Sequence, residues 1–183
     1  MPEYRRSWIK GGTYFFTLVT NHRRKIFSDP IALKILREAF QYSSSKVGPF
    51  HIDAICILPD HIHCLWTLPE MDMDYATRWK LLKGYFSHQY RKQGIEPDET
   101  TDSKIGKGEV GFWQRRYWEH TIRNEQDLNH HIDYIHYNPV KHGLVVSVKE
   151  WPWSSFHMYV QKGLYDENWG NEGIELDVNI YGE

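Results

Sequence analysis

The chain has 183 residues, with 22 Lys and Arg against 24 Asp and Glu for a formal net charge of −2, and it is rich in rings: 11 His, 8 Trp and 12 Tyr against only 2 Cys. That length suits one domain with a core large enough to fold without a disulfide or a structural metal. No apolar run approaches the roughly 20 residues of a membrane span, the N-terminal MPEYRRSWIK lacks the apolar stretch of a secretory leader, and Cys56 and Cys64 sit in apolar runs without C-x-x-C spacing, so two reduced core thiols in a cytoplasmic protein are expected.

In chain order, Thr13 to Thr20 (TYFFTLVT) is β-branched and aromatic and reads as a buried strand. Asn21 to Lys25 is a basic loop. Ser28-Asp29-Pro30 supplies a capping residue and a first-turn proline, so a helix follows over 31–47, with Leu33, Leu36 and Phe40 on its apolar stripe. Gly48-Pro49 breaks the chain. Phe50 to Leu58 and His61 to Leu68 read as two strands joined by a Pro59-Asp60 turn. Asp74 to Arg91 is a second helix, carrying Trp79, Leu82 and Phe86 on one stripe. Residues 93–111 have the composition of a mobile loop. Phe112 to Ile122 is a fourth strand. Asn124 caps a third helix from Glu125 to Asn138, which Pro139 is expected to stop. Beyond Gly143 the chain looks short and irregular, with aromatics at Trp151, Trp153 and Phe156. The order strand–helix–strand–strand–helix–strand plus one helix is an α+β, ferredoxin-like β-α-β-β-α-β core with an antiparallel sheet. Helices would cover one sheet face and leave the other free for a site.

The strongest local signal is Pro59-Asp60-His61-Ile62-His63. Side chains alternate along a strand, so His61 and His63 share a face. Such a pair suits metal ligation, or two histidines hydrogen-bonded at a strand start. The second signal is His130 to Pro139. At about 100° per residue, Leu128, Ile132 and Ile135 form one apolar stripe. Tyr134 lies off it, so its hydroxyl need not enter the core. Asn138, one turn on, shares its face and can offer an amide oxygen as a third ligand. Tyr137 is the rival nucleophile, pointing roughly 100° away from Asn138. A tyrosine beside a metal has a definite use: its oxyanion can attack phosphorus and store the phosphodiester's energy in a covalent link, while the metal polarises and orients the phosphate.

Charge is unevenly spread. Residues 166–183 hold six acids and no Lys or Arg, so residues 1–165 carry all 22 bases against 18 acids, a balance of +4. The basic body suits a phosphate-bearing partner. Candidate contacts are Arg5, Arg6, Lys10, Arg23, Arg24, Arg115, Arg116, Arg123, Lys141 and His142. Arg115 and Arg116 lie among Trp113, Tyr117 and Trp118, the mixture that single strands favour because bases stack on rings while phosphates pair with guanidinium. On a strand, only one of that Arg pair would meet DNA.

These pieces resemble the REP-associated tyrosine transposases, a branch of the single-tyrosine HUH transposases. The matching stretches are GGTYFFT (11–17), LPDHIHCLWTLP (58–69), RYWEHTIRN (116–124), HHIDYIHYNPVKHG (130–143) and WPWSSFH (151–157). The resemblance implies an HUH nuclease fold followed by a catalytic helix, His61 and His63 as the metal pair, Tyr134 as nucleophile, and Asn138 where insertion-sequence relatives carry a glutamine ligand. It further implies Mg²⁺ or Mn²⁺, a 5′-phosphotyrosine intermediate with a free 3′-hydroxyl, and imperfect hairpins of repetitive extragenic palindromes as substrate. Arg5, Arg6 and Lys10 would meet the tetranucleotide beside the stem, and the protein would be a monomer, with a dimer as the alternative, at the nucleoid. Two segments depart from the pattern: the loop at 93–111, and the acidic tail from Asp166, which is either an inert solvated end or a phosphate mimic. A non-catalytic hairpin-binding module is the second reading. A small-substrate metallohydrolase is the third, disfavoured because Cys64, Leu65 and Trp66 stand where further ligands are needed.

Overall fold

The computed structural model describes residues 8–97 and 111–174. The chain runs through β1 (Thr13–Val19), α1 (Pro30–Val47), β2 (His51–Ile57), β3 (His61–Thr67), α2 (Tyr75–Arg91), β4 (Trp118–Thr121), α3 (Glu125–Lys141) and α4 (Phe156–Gln161), with 3-10 turns at Asn21–Arg23, Ile26–Ser28 and Val148–Glu150. The four strands form one antiparallel sheet in the order β2-β3-β1-β4. That is the ferredoxin-like arrangement the element order predicted. Asp29 caps α1 by accepting from the Ile31 amide with Pro30 in the first turn, and Asp74 caps α2 by accepting from the Thr77 amide. Among the described residues no helix is long and apolar enough to cross a membrane.

β1 is central and its sequence is apolar almost throughout because both faces of the sheet are covered. Tyr14, Phe16 and Leu18 pair across β3 with Trp66, Cys64 and Ile62 and turn to one face. α1 and α2 close that face with Leu33, Leu36, Trp79, Leu82 and Phe86, and Trp66 stacks on Trp79 at 3.9 Å between centroids. The opposite face carries Phe15, Ala54, Cys56 and Leu65 and is closed by Ile132, Tyr134 and Ile135 of α3. The second face is therefore not open, as the element order suggested, and any site on it lies between sheet and helix. Cys56 and Cys64 are free, buried thiols.

Two elements differ from the sequence reading. The fourth strand is four residues long. Trp113 makes only an isolated bridge to Thr20, and Arg115 and Arg116 lie in the irregular approach to β4, so strand alternation does not govern them. The second is α3, which runs through Pro139 to Lys141. Pro139 falls in the last turn. The helix ends instead at Gly143, whose φ of +64° lets its amide reach the Val140 carbonyl at 2.9 Å while the Leu144 amide reaches Pro139 at 2.9 Å. Those two bonds are the left-handed glycine stop of a Schellman motif. A Cβ on Gly143 would meet nothing within 4 Å, so Gly143→Ala carries only the left-handed strain. It should lower stability by about 1 kcal/mol in chemical denaturation, and an unchanged midpoint would show that this stop does not bound the helix.

Candidate active site

His61 and His63 stand on β3 facing α3, at 1% and 0% exposure, with ring centroids 4.8 Å apart. Each ring is oriented by a hydrogen bond at Nδ1. His61 Nδ1 lies 2.6 Å from Asp60 Oδ1, and His63 Nδ1 lies 2.9 Å from Thr17 Oγ1, its cross-strand partner on β1. Burial alone would raise the Asp60 carboxyl, but the His61 hydrogen bond, its charge and Arg23 outweigh it and bring the pKa down to about 2. Asp60 is thus an ionised acceptor. It fixes the proton of His61 on Nδ1 and directs the Nε2 lone pair away from the carboxylate, which is how protein carboxylates prepare imidazoles for metals.

α3 lays Tyr134 over this pair. The Tyr134 ring lies 5.2 Å from the His63 ring at 73°, with Phe15 edge-on at 6.1 Å, and Tyr134 is fully buried. The spacing on the helix did not require its hydroxyl to enter the core. The structure puts the ring inside, because α3 packs the Tyr134 face onto the sheet together with Ile132 and Ile135. Lys141, two turns on, donates to Tyr134 Oη at 3.1 Å and lies 4.9 Å over its ring. His142 sets its ring 5.0 Å from that of His61. Both reach the site only because the helix continues beyond Pro139. Asn138 is fully buried, one turn after Tyr134 on the same helix. Tyr137 turns the other way: it packs on Trp169 at 6.5 Å and under Gly170, where a Cβ would come within 3.2 Å of its ring.

The basic candidates are scattered. Lys10, Arg115, Arg116 and Arg123 are exposed. Arg23 pairs with Asp60 at 3.2 Å, so it borders the histidine pair. His22 and Arg23 both have φ of +50°, a left-handed stretch that costs side-chain-bearing residues energy. Arg24 donates to the Glu96 carbonyl at 3.2 Å and lies over the Phe112 ring. Arg5 and Arg6, residues 98–110 of the loop at 93–111, and residues 175–183 of the acidic tail lie outside the described residues. The described start of the tail is not a free end. Trp169 stacks on Tyr165 at 4.5 Å, and Tyr165 hydrogen-bonds Asp133 of α3.

Sequence reasoning missed Thr17, whose role needs the strand register, and a second cluster. His120 on β4 with Asp127 and His131 on α3 place three atoms of metal-ligating type within 4.8 Å of one another, the one such group of His, Cys, Asp or Glu among the described residues.

Comparison with known proteins decides the family. Residues 8–138 match the family described as Transposase IS200 like. This chain belongs to the IS200-like transposases. It is 42% identical over 179 residues to the REP-associated tyrosine transposase of Escherichia coli strain K12, covering 97% of this chain and 96% of that one. A Haemophilus influenzae relative that carries the same designation provisionally is 45% identical over 183 residues, covering 100% and 99%. A solved REP-associated tyrosine transposase bound to a REP hairpin superposes with a TM-score of 0.80 at 41% identity, covering 100% of this chain and 98% of that one. Within the family the chain is therefore a REP-associated tyrosine transposase, an enzyme of DNA transposition.

Proposed function

We propose that this transposase cleaves and rejoins single-stranded DNA at REP hairpins, with Tyr134 as nucleophile. The observation that carries the reading is the Tyr134 ring 5.2 Å above His63, inside a pocket where both histidines are held by Nδ1. Tyr134 Oη bonds to the scissile phosphorus and the P–O3′ bond breaks. The phenolic proton is lost, the leaving 3′-oxygen takes one up, and a 5′-phosphotyrosine and a free 3′-hydroxyl remain. A second 3′-hydroxyl attacking the same phosphorus reverses the step and joins strands. A phenol is mostly protonated at neutral pH, and the Lys141 ammonium, donating at 3.1 Å, stabilises the oxyanion as it forms. Because Tyr134 is buried, rim side chains must move to admit phosphate. Lys141 and His142 are the basic groups placed there.

His61, His63 and Asn138 would hold Mg²⁺ or Mn²⁺. Two imidazoles aimed by Nδ1 bonds and one amide oxygen are a donor set such ions accept. When bound, the ion polarises and orients the scissile phosphate. Lys10, Arg23, Arg24, Arg115, Arg116 and Arg123, with Arg5 and Arg6, would meet the DNA backbone. The relative solved with a REP hairpin supports hairpin DNA as partner.

The test is a denaturing gel with a single-stranded REP hairpin. With Mn²⁺ the protein should form a covalent protein–DNA adduct, and with EDTA it should form none. Hairpin binding without an adduct under any divalent cation would leave a binding module in place of the nuclease.

A further inference from the structure

We propose that His120, Asp127 and His131 are positioning residues that fix the rotation of α3 about its axis, and with it the placement of Tyr134 over His63. The proposal rests on Tyr134 as the reacting group. One residue makes the link. Asp127 Oδ2 lies 2.9 Å from His120 Nε2 and accepts from the Arg123 amide at 2.9 Å, while His131 Nδ1 lies 2.8 Å from the Asp127 carbonyl and 3.1 Å from Oδ1. The Asp127 amide in turn donates to Asn124 Oδ1 at 2.9 Å, so the same residue closes the helix N-terminus. Burial would raise the Asp127 carboxyl, but His120, the Arg123 amide and His131 outweigh it and hold it below its ordinary value. Asp127 is therefore ionised: its carboxylate accepts from His120 on the sheet, while its backbone carbonyl accepts from His131.

The rings carry this anchor to the active site. His120 stacks on His131 at 4.7 Å, His131 lies 4.8 Å from Phe15, and Phe15 lies nearly parallel to His63 at 5.7 Å. Phe15 and His120 are direct cross-strand partners. The column thus runs from the sheet edge, through α3, to the metal pair. The donor types suit a cation, but the geometry is that of a clamp. His120 Nε2 is engaged by the Asp127 carboxylate at 2.9 Å and His131 Nδ1 by the Asp127 carbonyl at 2.8 Å, so these nitrogens are already spent on hydrogen bonds.

The lever explains why the clamp matters. His131 precedes Tyr134 by three residues and Asp127 by seven, so all three project from nearly one side of α3. A tyrosine oxygen stands roughly 9 Å from its helix axis, so a rotation of roughly 15° carries it about 2 Å. A misplacement of about 1 Å can cost on the order of 100-fold in rate.

The experiment uses Asp127→Asn in the full chain, with Glu125→Gln as a control that removes the same charge from the exposed side of the same first turn. Adduct formation at saturating hairpin and Mn²⁺ should slow by about 10- to 100-fold, with hairpin affinity within about twofold of wild type and the control unchanged. A second readout needs no catalysis: 3-fluorotyrosine at position 134 should change its ¹⁹F shift in Asp127→Asn and not in Glu125→Gln. If the wild type forms no adduct, the nuclease reading fails while the fluorine readout still decides the clamp. An unchanged shift, or a loss confined to hairpin affinity, overturns the proposal. So does a His61→Ala/His63→Ala protein that still binds one Zn²⁺ and loses it with Asp127→Asn, since the trio is then a metal site.

Discussion

Tyr134→Phe should form no covalent adduct with a REP hairpin in Mn²⁺, a loss of roughly 10⁴-fold or more, as expected when a nucleophile is removed. The substitution isolates the chemistry. The ring stays against His63 and Phe15, and only the hydroxyl that accepts from Lys141 disappears. A hydrogen bond to a charged group contributes about 1.5–3 kcal/mol when its loss strands a buried partner. Lys141 is only half-buried and can return its ammonium to water, so the expected cost is about 1 kcal/mol and hairpin binding should persist. Tyr137→Phe is the matching control and should retain the adduct, since Tyr137 packs on Trp169 and Gly170. An adduct in Tyr134→Phe that vanishes in Tyr137→Phe would move the nucleophile three residues along the helix. It would also require α3 to turn by about 60°, against the clamp at its N-terminal end.

What could be read from the residues in advance follows from the range of the physics involved. His61 and His63 were legible as one-faced because alternation along a strand is local, and Asp29-Pro30 and Asn124 marked helix starts because capping is local too. The end of α3 was also local, but its two signals compete: Pro139 reads as a breaker, yet a proline in the last turn forfeits little, and the glycine four residues later sets the boundary. That difference of three residues decides function, since it brings Lys141 to Tyr134 and His142 to His61. Burial of Tyr134 was not legible, because it depends on which sheet face α3 covers. Thr17 was invisible for a related reason: its value lies in standing opposite His63, and register belongs to a pair of strands. The same holds for His120, eleven residues before His131 and stacked on it only because α3 folds back over the sheet. The breadth of β4 was over-read because Phe112 to Tyr117 is as aromatic as a strand while its backbone only bridges Thr20 at Trp113.

His63→Ala should abolish metal-stimulated cleavage, a fall of about 10³-fold or more if the ion supplies several kcal/mol of charge stabilisation, and weaken Mn²⁺ binding in a calorimetric titration of the DNA-free protein. Alone it is ambiguous, since it also removes the hydrogen bond to the Thr17 hydroxyl and opens space beside Phe15. Asp60→Asn removes the ambiguity. It leaves both rings in place and changes what orients His61, along with the exposed Arg23 ion pair, because an amide is a weaker acceptor than a carboxylate held near a pKa of 2 and can present a donor to Nδ1 instead. Orienting partners of metal-bound histidines typically contribute 10- to 100-fold in affinity or activity, so Asp60→Asn should fall between wild type and His63→Ala in both Mn²⁺ affinity and adduct yield. Equal losses of Mn²⁺ binding and cleavage in the two variants would make Asp60 itself a ligand. Unchanged Mn²⁺ affinity in His63→Ala would remove the histidine pair from the metal site and leave Tyr134 and Lys141 to be explained without it.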